Sequence, residues 1–331
     1  MLFSVGSLTA QNVTETRWYF GNSPENLVFD RNGRDPVLQT DQATPFGSAG
    51  AITITDQFTG NLLFYSDGVD VYDVSHTILP GGAGLAGDPA INMPVVTAPV
   101  TDNPGQYYLF TNSGTAGPNE IQYTIVDATQ AGNGTAQFPY GDVLGGLNNA
   151  TGLTDPSEGM LIIPAGDGEL FWLISQDRNT FEIRVTQIDG GGVGATLNYD
   201  FVDGSTPGFE AAHFAFNEDS SQLVMAPRLA NRNIWLMDFD AATGVPVFDR
   251  TLTGTGFNDD AGESIYDVEW SPDGSKIYLS RFGSSGVTGQ LYQLDFNDST
   301  ETVNPILPAD IFRSFGLKRA PEDRIYHLYQ E

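Results

Sequence analysis

The chain of 331 residues contains no cysteine, so disulfides, thiolate nucleophiles and cysteine-ligated zinc are excluded. Positive charge is nearly as scarce. Lys and Arg number 14 against 42 Asp and Glu, a formal charge of −28, and Lys276 and Lys318 are the only lysines. A surface of that sign repels phosphate backbones and anionic headgroups, which argues against nucleic acid as a partner. No run approaches the roughly 18 apolar residues of a spanning helix, so direct bilayer insertion is not expected. Histidine occurs only at His76, His213 and His327, without an H-E-x-x-H pair, and there is no G-x-S-x-G elbow. Helical periodicity is missing as well.

What is present are Gly (38), Pro (19) and aromatic residues (11%), the composition of many short strands joined by turns. Aligned on its turns, the chain shows six comparable segments. They are AITITDQFTGNLLFYSDG from Ala51, PVVTAPVTDNPGQYYLFTN from Pro94, MLIIPAGDGELFWLISQ from Met160, HFAFNEDSSQLVMAPR from His213, VEWSPDGSKIYLSR from Val268 and FGLKRAPEDRIYHLYQ from Phe315. Each reads as strand, polar turn, strand, and they recur at a spacing of about 45 to 65 residues, near the period of propeller blades. Third β-rich runs follow in NEIQYTIVDAT, TFEIRVTQIDG, RNIWLMDFDAATG and GQLYQLDFND. The pattern predicts an all-β β-propeller of six to seven blades, with strands around TRWYFGN and NLVFD helping to close the ring. Within SPDG, Pro272 pre-sets φ and Gly274 accepts a positive one, so the Asp-Gly pair marks a hairpin turn rather than a site.

Four stretches carry a family resemblance: WYFGN (18–22), GNLLFYSDGVDVYDVSHTILPGGAGLAGDP (60–89), YYLFT (107–111) and YDVEWSPDGSKIYLS (266–280). They resemble the WD40- or YVTN-like β-propeller regions of gliding-motility-associated, type IX secretion substrate proteins of Bacteroidota. That resemblance implies a secreted or cell-surface propeller with adhesive or binding duties, often within a larger protein. The opening MLFSVGSLTA reads as the remnant of a signal peptide over residues 1–11, with an ordinary N-terminal strand as the alternative, leaving 12–331 as a single propeller domain; either it lacks its natural C-terminal continuation, or the strands around TRWYFGN and NLVFD complete the last blade. The acidity reads as adaptation to high salt, with Ca²⁺ binding or plain solubility as alternatives.

Candidate groups for chemistry are few. Asp67, Asp70 and Asp73 at three-residue spacing, and Asp259, Asp260 and Glu263, are candidate Ca²⁺ ligands, because hard cations take several oxygens from acidic loops. The alternative for both runs is turn capping. His213, in an inner strand, reads as a structural histidine with a channel-lining general base as the alternative, and Arg228, Arg281 and Arg319, near the ends of second or first strands, are channel candidates that could clamp a carboxylate substrate or else pair with acidic loops. The letters GAGLAG from Gly82 match G-x-G-x-x-G, but the prolines that follow oppose the helix a dinucleotide site needs. The expected function is non-catalytic binding of a glycan, a protein or a surface polymer through loops on one face, with the inserts 81–93 and 131–159 as binding elements. Two alternatives are a hydrolase or lyase acting at the channel and a structural subunit of an extracellular assembly. Converging buried acids with His213 or arginines would favour the enzyme.

Overall fold

The computed structural model describes residues 16–19, 24–29, 35–40, 50–56, 58–115, 117–166, 168–200, 210–227, 234–252, 265–283, 288–296, 303–305, 311–321 and 323–330. Every regular element among them is a β-strand. Blade 1 comprises β1 (Arg17–Tyr19), β2 (Glu25–Val28) and β3 (Val37–Thr40), and blade 2 comprises β4 (Ile52–Thr55), β5 (Leu62–Ser66), β6 (Asp70–Asp73) and β7 (Ile78–Ala83). Blade 3 holds β8 (Val95–Pro99), β9 (Gln106–Asn112), β10 (Glu120–Asp127) and β11 (Asp142–Thr154), and blade 4 holds β12 (Leu161–Pro164), β13 (Phe171–Gln176), β14 (Ile183–Asp189) and β15 (Gly192–Tyr199). Blade 5 is built from β16 (Ala211–Phe216), β17 (Gln222–Pro227), β18 (Ile234–Asp240) and β19 (Val245–Leu252), and blade 6 from β20 (Ile265–Trp270), β21 (Lys276–Arg281), β22 (Gln290–Asp295) and β23 (Val303–Pro305). A two-stranded hairpin, β24 (Arg313–Arg319) and β25 (Ile325–Gln330), completes the circuit.

Every pairing is antiparallel between consecutive strands, as the turn-based repeat predicts. The fold is a six-bladed β-propeller.

Because side chains alternate across a strand, each blade feeds two cores. In β13, Trp172 and Ile174 join Phe214, Met225 and Met237 of blade 5, whereas Phe171 and Leu173 join Ala98 and Phe110 of blade 3. The opposite face of blade 5, through Val224 and Leu236, meets Trp270 and Leu279 of blade 6. Sheets sandwiched in this way are apolar on both faces, which is why β12 and β13 read as continuous hydrophobic runs.

The N-terminal strands close the ring. Tyr19 stacks on Tyr65 of blade 2 with ring centroids 4.5 Å apart. On the other side of blade 1, Trp18 and Phe29 pack against Tyr326 and Ala320 of the hairpin, Trp18 meeting Tyr326 edge-on at 5.7 Å. Packing of blade on blade replaces the exposed edge that an open sheet would present.

SPDG is the turn between β20 and β21. Gly274 N donates to Ser271 O at 2.9 Å, and Gly274 adopts φ +66°. Insert 131–159 departs from the expected loop: 13 of its residues, Asp142–Thr154, form the outer strand β11, shifted in register against β10 at two irregularities. Asn148 on β11 grips the other insert, accepting from Ala86 N and donating to Gly84 O, both at 2.9 Å.

Candidate functional site

Three adjacent first strands, β16, β20 and β24, carry the concentration of buried charge. Each has a register irregularity near its start, with Ala212 the extra residue in β16, Tyr266 the extra residue in β20, and a shift between Ser314 and Leu317 in β24. A bulge re-aims the side chains that follow it. Here those are His213 and Asp267, the third residues of their strands, and His213 Nε2 lies 3.0 Å from Asp267 Oδ1.

The second oxygen of Asp267 accepts from Leu317 N at 2.7 Å, and two residues further on Glu269 Oε2 accepts from Arg319 N at 3.3 Å. First strands of neighbouring blades do not pair with one another, so these N–H groups of β24 have no ladder partner on that side. The carboxylates supply one, at the two-residue period of the strand. Arg319 Nη1 in turn lies 3.7 Å from Glu218 Oε2 at the end of β16.

Burial and like charge set the protonation of this group. Desolvation, reinforced by the Asp267 carboxylate and opposed by Arg319, lifts Glu269 to about 7. Burial disfavours charged His213, but attraction and hydrogen bonding to Asp267, with Glu269 behind it, raise His213 above its ordinary value. The wall of the channel therefore sets His213, its proton held more tightly than usual by Asp267, beside a Glu269 carboxyl near its midpoint at neutral pH.

A second histidine contact was not anticipated from the sequence. Ser314 Oγ lies 2.6 Å from His327 Nε2, and burial pushes His327 down to about 4 with Asp267 opposing. Ser314 is fully buried, so a substrate has no approach to its hydroxyl and the contact joins β24 to β25.

At the end of the ring where the first strands begin, aromatic rings gather on blade 6 and the hairpin. Tyr266, Phe282 and Phe315 form a triangle, with centroid separations of 6.1, 5.6 and 5.6 Å. Phe312 beside them is 44% exposed, and Arg313 lies across the rings of both Phe282 and Phe312. Asn92, from the insert after β7, reaches across to donate through Nδ2 to Tyr266 O at 3.4 Å, while its own N–H donates to Glu158 Oε2 at 3.3 Å. Burial, then the charges of Asp267 and Glu158, push the Tyr266 phenol up to about 12. An aromatic rim with an arginine, an amide and a carboxylate is thus assembled from four segments distant in sequence.

The remaining sequence candidates separate into distinct places. Arg281 is buried beneath the rim with its guanidinium 5.5 Å over the Tyr292 ring, and Arg319 joins the His213–Asp267–Glu269 group. Asp67 Oδ1 accepts from Val69 N and Asp70 N, Asp70 Oδ1 accepts from Gly84 N, and Asp73 Oδ1 accepts from Ser75 N and Thr77 N. These carboxylates hold backbone turns. Among the described residues no three His, Asp or Glu side chains form a metal-binding set. Arg228, Asp259, Asp260 and Glu263 lie outside the described residues.

No protein-family profile and no curated protein matches the sequence. Solved structures do. A putative 6-phosphogluconolactonase from Bacteroides fragilis aligns with TM-score 0.50 at 12% identity, over 97% of this chain and 86% of that one. The Cps50 (Swd1) β-propeller domain of Myceliophteria thermophila aligns with TM-score 0.44 at 10% identity, over 96% and 93%. A protein of unknown function from Desulfotomaculum acetoxidans aligns with TM-score 0.47 at 10% identity, over 99% and 92%. The likeness to the putative 6-phosphogluconolactonase is one of fold. At such identities the likeness shows architecture alone, and duties sit on the individual rim.

Proposed function

We propose that this chain is a non-catalytic binding propeller of a secreted or surface-displayed protein, and that it takes a glycan on the rim where the first strands begin. The observation that carries the reading is the cluster of Tyr266, Phe282 and Phe315, flanked by exposed Phe312 and by Arg313, Asn92 and Glu158. Apolar ring faces with a few convergent polar groups are the common make-up of small-ligand sites, and sugars present both apolar C–H faces and hydroxyls. The resemblance of WYFGN and the GNLLFYSDG run to surface propellers of Bacteroidota agrees with such a role. Affinity electrophoresis in gels cast with neutral and acidic polysaccharides tests it. Wild-type protein should be retarded and Phe282→Ala should not, whereas Phe58→Ala, an exposed residue in the β4–β5 turn, should behave as wild type. Equal mobility of all three proteins in every gel would sink the reading.

A second reading rests on a different observation. His213, Asp267, Glu269 and Arg319 converge on the channel wall, and a carboxyl near 7 beside a histidine whose proton is held more tightly than usual is the kind of pair a hydrolase or lyase uses for general acid–base chemistry. Against it, both oxygens of Asp267 and both of Glu269 already accept hydrogen bonds, from His213 or from backbone N–H groups. If the channel is catalytic, turnover of sugar lactones or glycosides should disappear in Glu269→Gln with a bell-shaped pH profile in the parent. A flat profile, unchanged in the variant, would discard this reading.

A further inference from the structure

We infer that the rim recognises a sugar that carries an isolated carboxylate, and that Arg313 is the residue that grips it. The inference rests on the rim being a glycan site. Its basis is the isolation of Arg313. The guanidinium carbon lies 5.3 Å from the centroid of Phe282 and 5.2 Å from that of Phe312, and Nε is buried without a hydrogen-bond partner. Arg178, Arg184, Arg250, Arg319 and Arg324 each stand within ion-pair distance of a carboxylate, namely Asp155, Asp177, Asp249, Glu218 and Asp35. Among the described residues Arg313 has none, in a chain with 42 acidic residues and 14 basic ones.

In so acidic a chain, an arginine seated on aromatic rings with an unpartnered buried Nε is suited to an anion brought by a ligand. Contact with two aromatic rings restrains the guanidinium, so less freedom is lost when its fork meets a planar anion. Carboxylate geometry matches that fork in a bidentate manner. The neighbouring faces of Phe282 and Phe315 then receive the sugar ring itself. Charge limits the ligand further. A polyanion would meet the field of a chain carrying −28, whereas one acidic sugar in an otherwise neutral glycan brings a single charge to a site screened beyond about 8 Å at physiological salt.

The test uses the full chain with three probes, D-glucuronate, its neutral methyl ester and D-glucose, titrated by saturation-transfer NMR in 0.15 M NaCl. Glucuronate should bind at least tenfold more tightly than the ester. Arg313→Gln should lower glucuronate affinity about tenfold to a hundredfold, to the level of the ester, without changing the melting temperature. Arg313→Lys, which keeps the charge but not the fork, should fall between and serves as the second variant if Arg313→Gln unfolds. Equal binding of acid and ester, or full affinity in Arg313→Gln, overturns the assignment of Arg313. If the neutral sugars then still bind and Phe282→Ala abolishes that binding, the rim survives as a glycan site. If no sugar binds, the rim reading and the Arg313 assignment fall together.

Discussion

Glu269 makes the stability of the ring depend on pH in a direction opposite to that of an ordinary carboxylate. Its folded value, about 7, stands above the ordinary 4.5, so the folded protein holds this proton more tightly than the unfolded chain does. Stability from Glu269 is therefore complete below pH 4.5, declines as pH rises from 4.5 to 7, and is constant above. About 2.5 units at 1.36 kcal/mol each is roughly 3 kcal/mol, which partial solvent access reduces to about 2–3 kcal/mol. Glutamine cannot ionise, but its one side-chain oxygen keeps only one of the two backbone N–H bonds that Glu269 accepts, from Trp270 and Arg319. Whatever the offset at pH 4.5, the stability of Glu269→Gln relative to the parent should therefore improve by about 2–3 kcal/mol between pH 4.5 and 8, roughly 3–4 °C in melting temperature at an entropy of about 2.1 cal/mol/K per residue. Thermal melts of both proteins by circular dichroism at pH 4.5, 6, 7 and 8 give the comparison. His213, whose value is also raised, loses its contribution as pH rises from 6.5 through its folded value, but it titrates in both proteins. Parallel curves would refute the assignment of a raised carboxyl to this wall.

Asp267→Ala leaves His213 without its partner and the Leu317 N–H without an acceptor, and should cost about 3–5 kcal/mol in urea denaturation; a loss below 1 kcal/mol would contradict the clamp. His327 has the opposite sign to Glu269. Its folded value near 4 lies below 6.5, so its contribution is full above pH 6.5 and lost as pH falls towards 4, and His327→Gln should flatten that limb of the stability curve. Asp127 accepts from Thr129 N and Oγ, Gln106 and Gln130, bonds that hold its carboxyl below the usual range despite burial; Asp127→Ala should lower stability by about 1–2 kcal/mol at pH 7, a margin that narrows as pH falls below 3.8. If the acidity is an adaptation to salt, the melting temperature should climb as NaCl rises into the molar range, and a fall there would refute that reading.

The blades were legible because their signals are local. A turn such as SPDG needs only its own residues, with Asp273 accepting from Ser271 Oγ, Ser275 N and Ser275 Oγ while these bonds draw its carboxyl down to about 2. An Asp also closes the third strand in blades 2 to 5, where Asp73, Asp127, Asp189 and Asp240 each accept from the backbone N–H two residues on. Part of the acidity that suggested metal binding is thus turn chemistry, repeated once per blade. The insert over 131–159 misled because glycine-rich sequence reads as loop, whereas β11 uses Gly145, Gly146 and Gly152 at positive φ to bend an outer strand around its neighbour.

The charged wall was hidden for a reason that lies in how a propeller closes. Its bonds join residues one blade apart: Asp267 to Leu317 and Glu269 to Arg319 are both 50 positions away, and no composition or short motif reports a pairing across that distance. His213 was singled out as an inner-strand histidine, but its partner had no local mark, because Asp267 sits in a stretch read only as strand. The repeat itself held the missing signal. Aligning NEDSSQ with SPDGSK places His213 and Asp267 at the same position of consecutive blades, and neighbouring first strands bring equivalent positions side by side. Polar residues at one repeat position in successive blades are therefore expected to meet, while a polar residue opposite an apolar one, such as Asp267 opposite Leu317, must find backbone instead. The rim has no such rule. Tyr266, Phe282, Phe315 and Asn92 come from an inner strand, the segment after a second strand, another inner strand and an inter-blade segment, and only the closed ring gathers them.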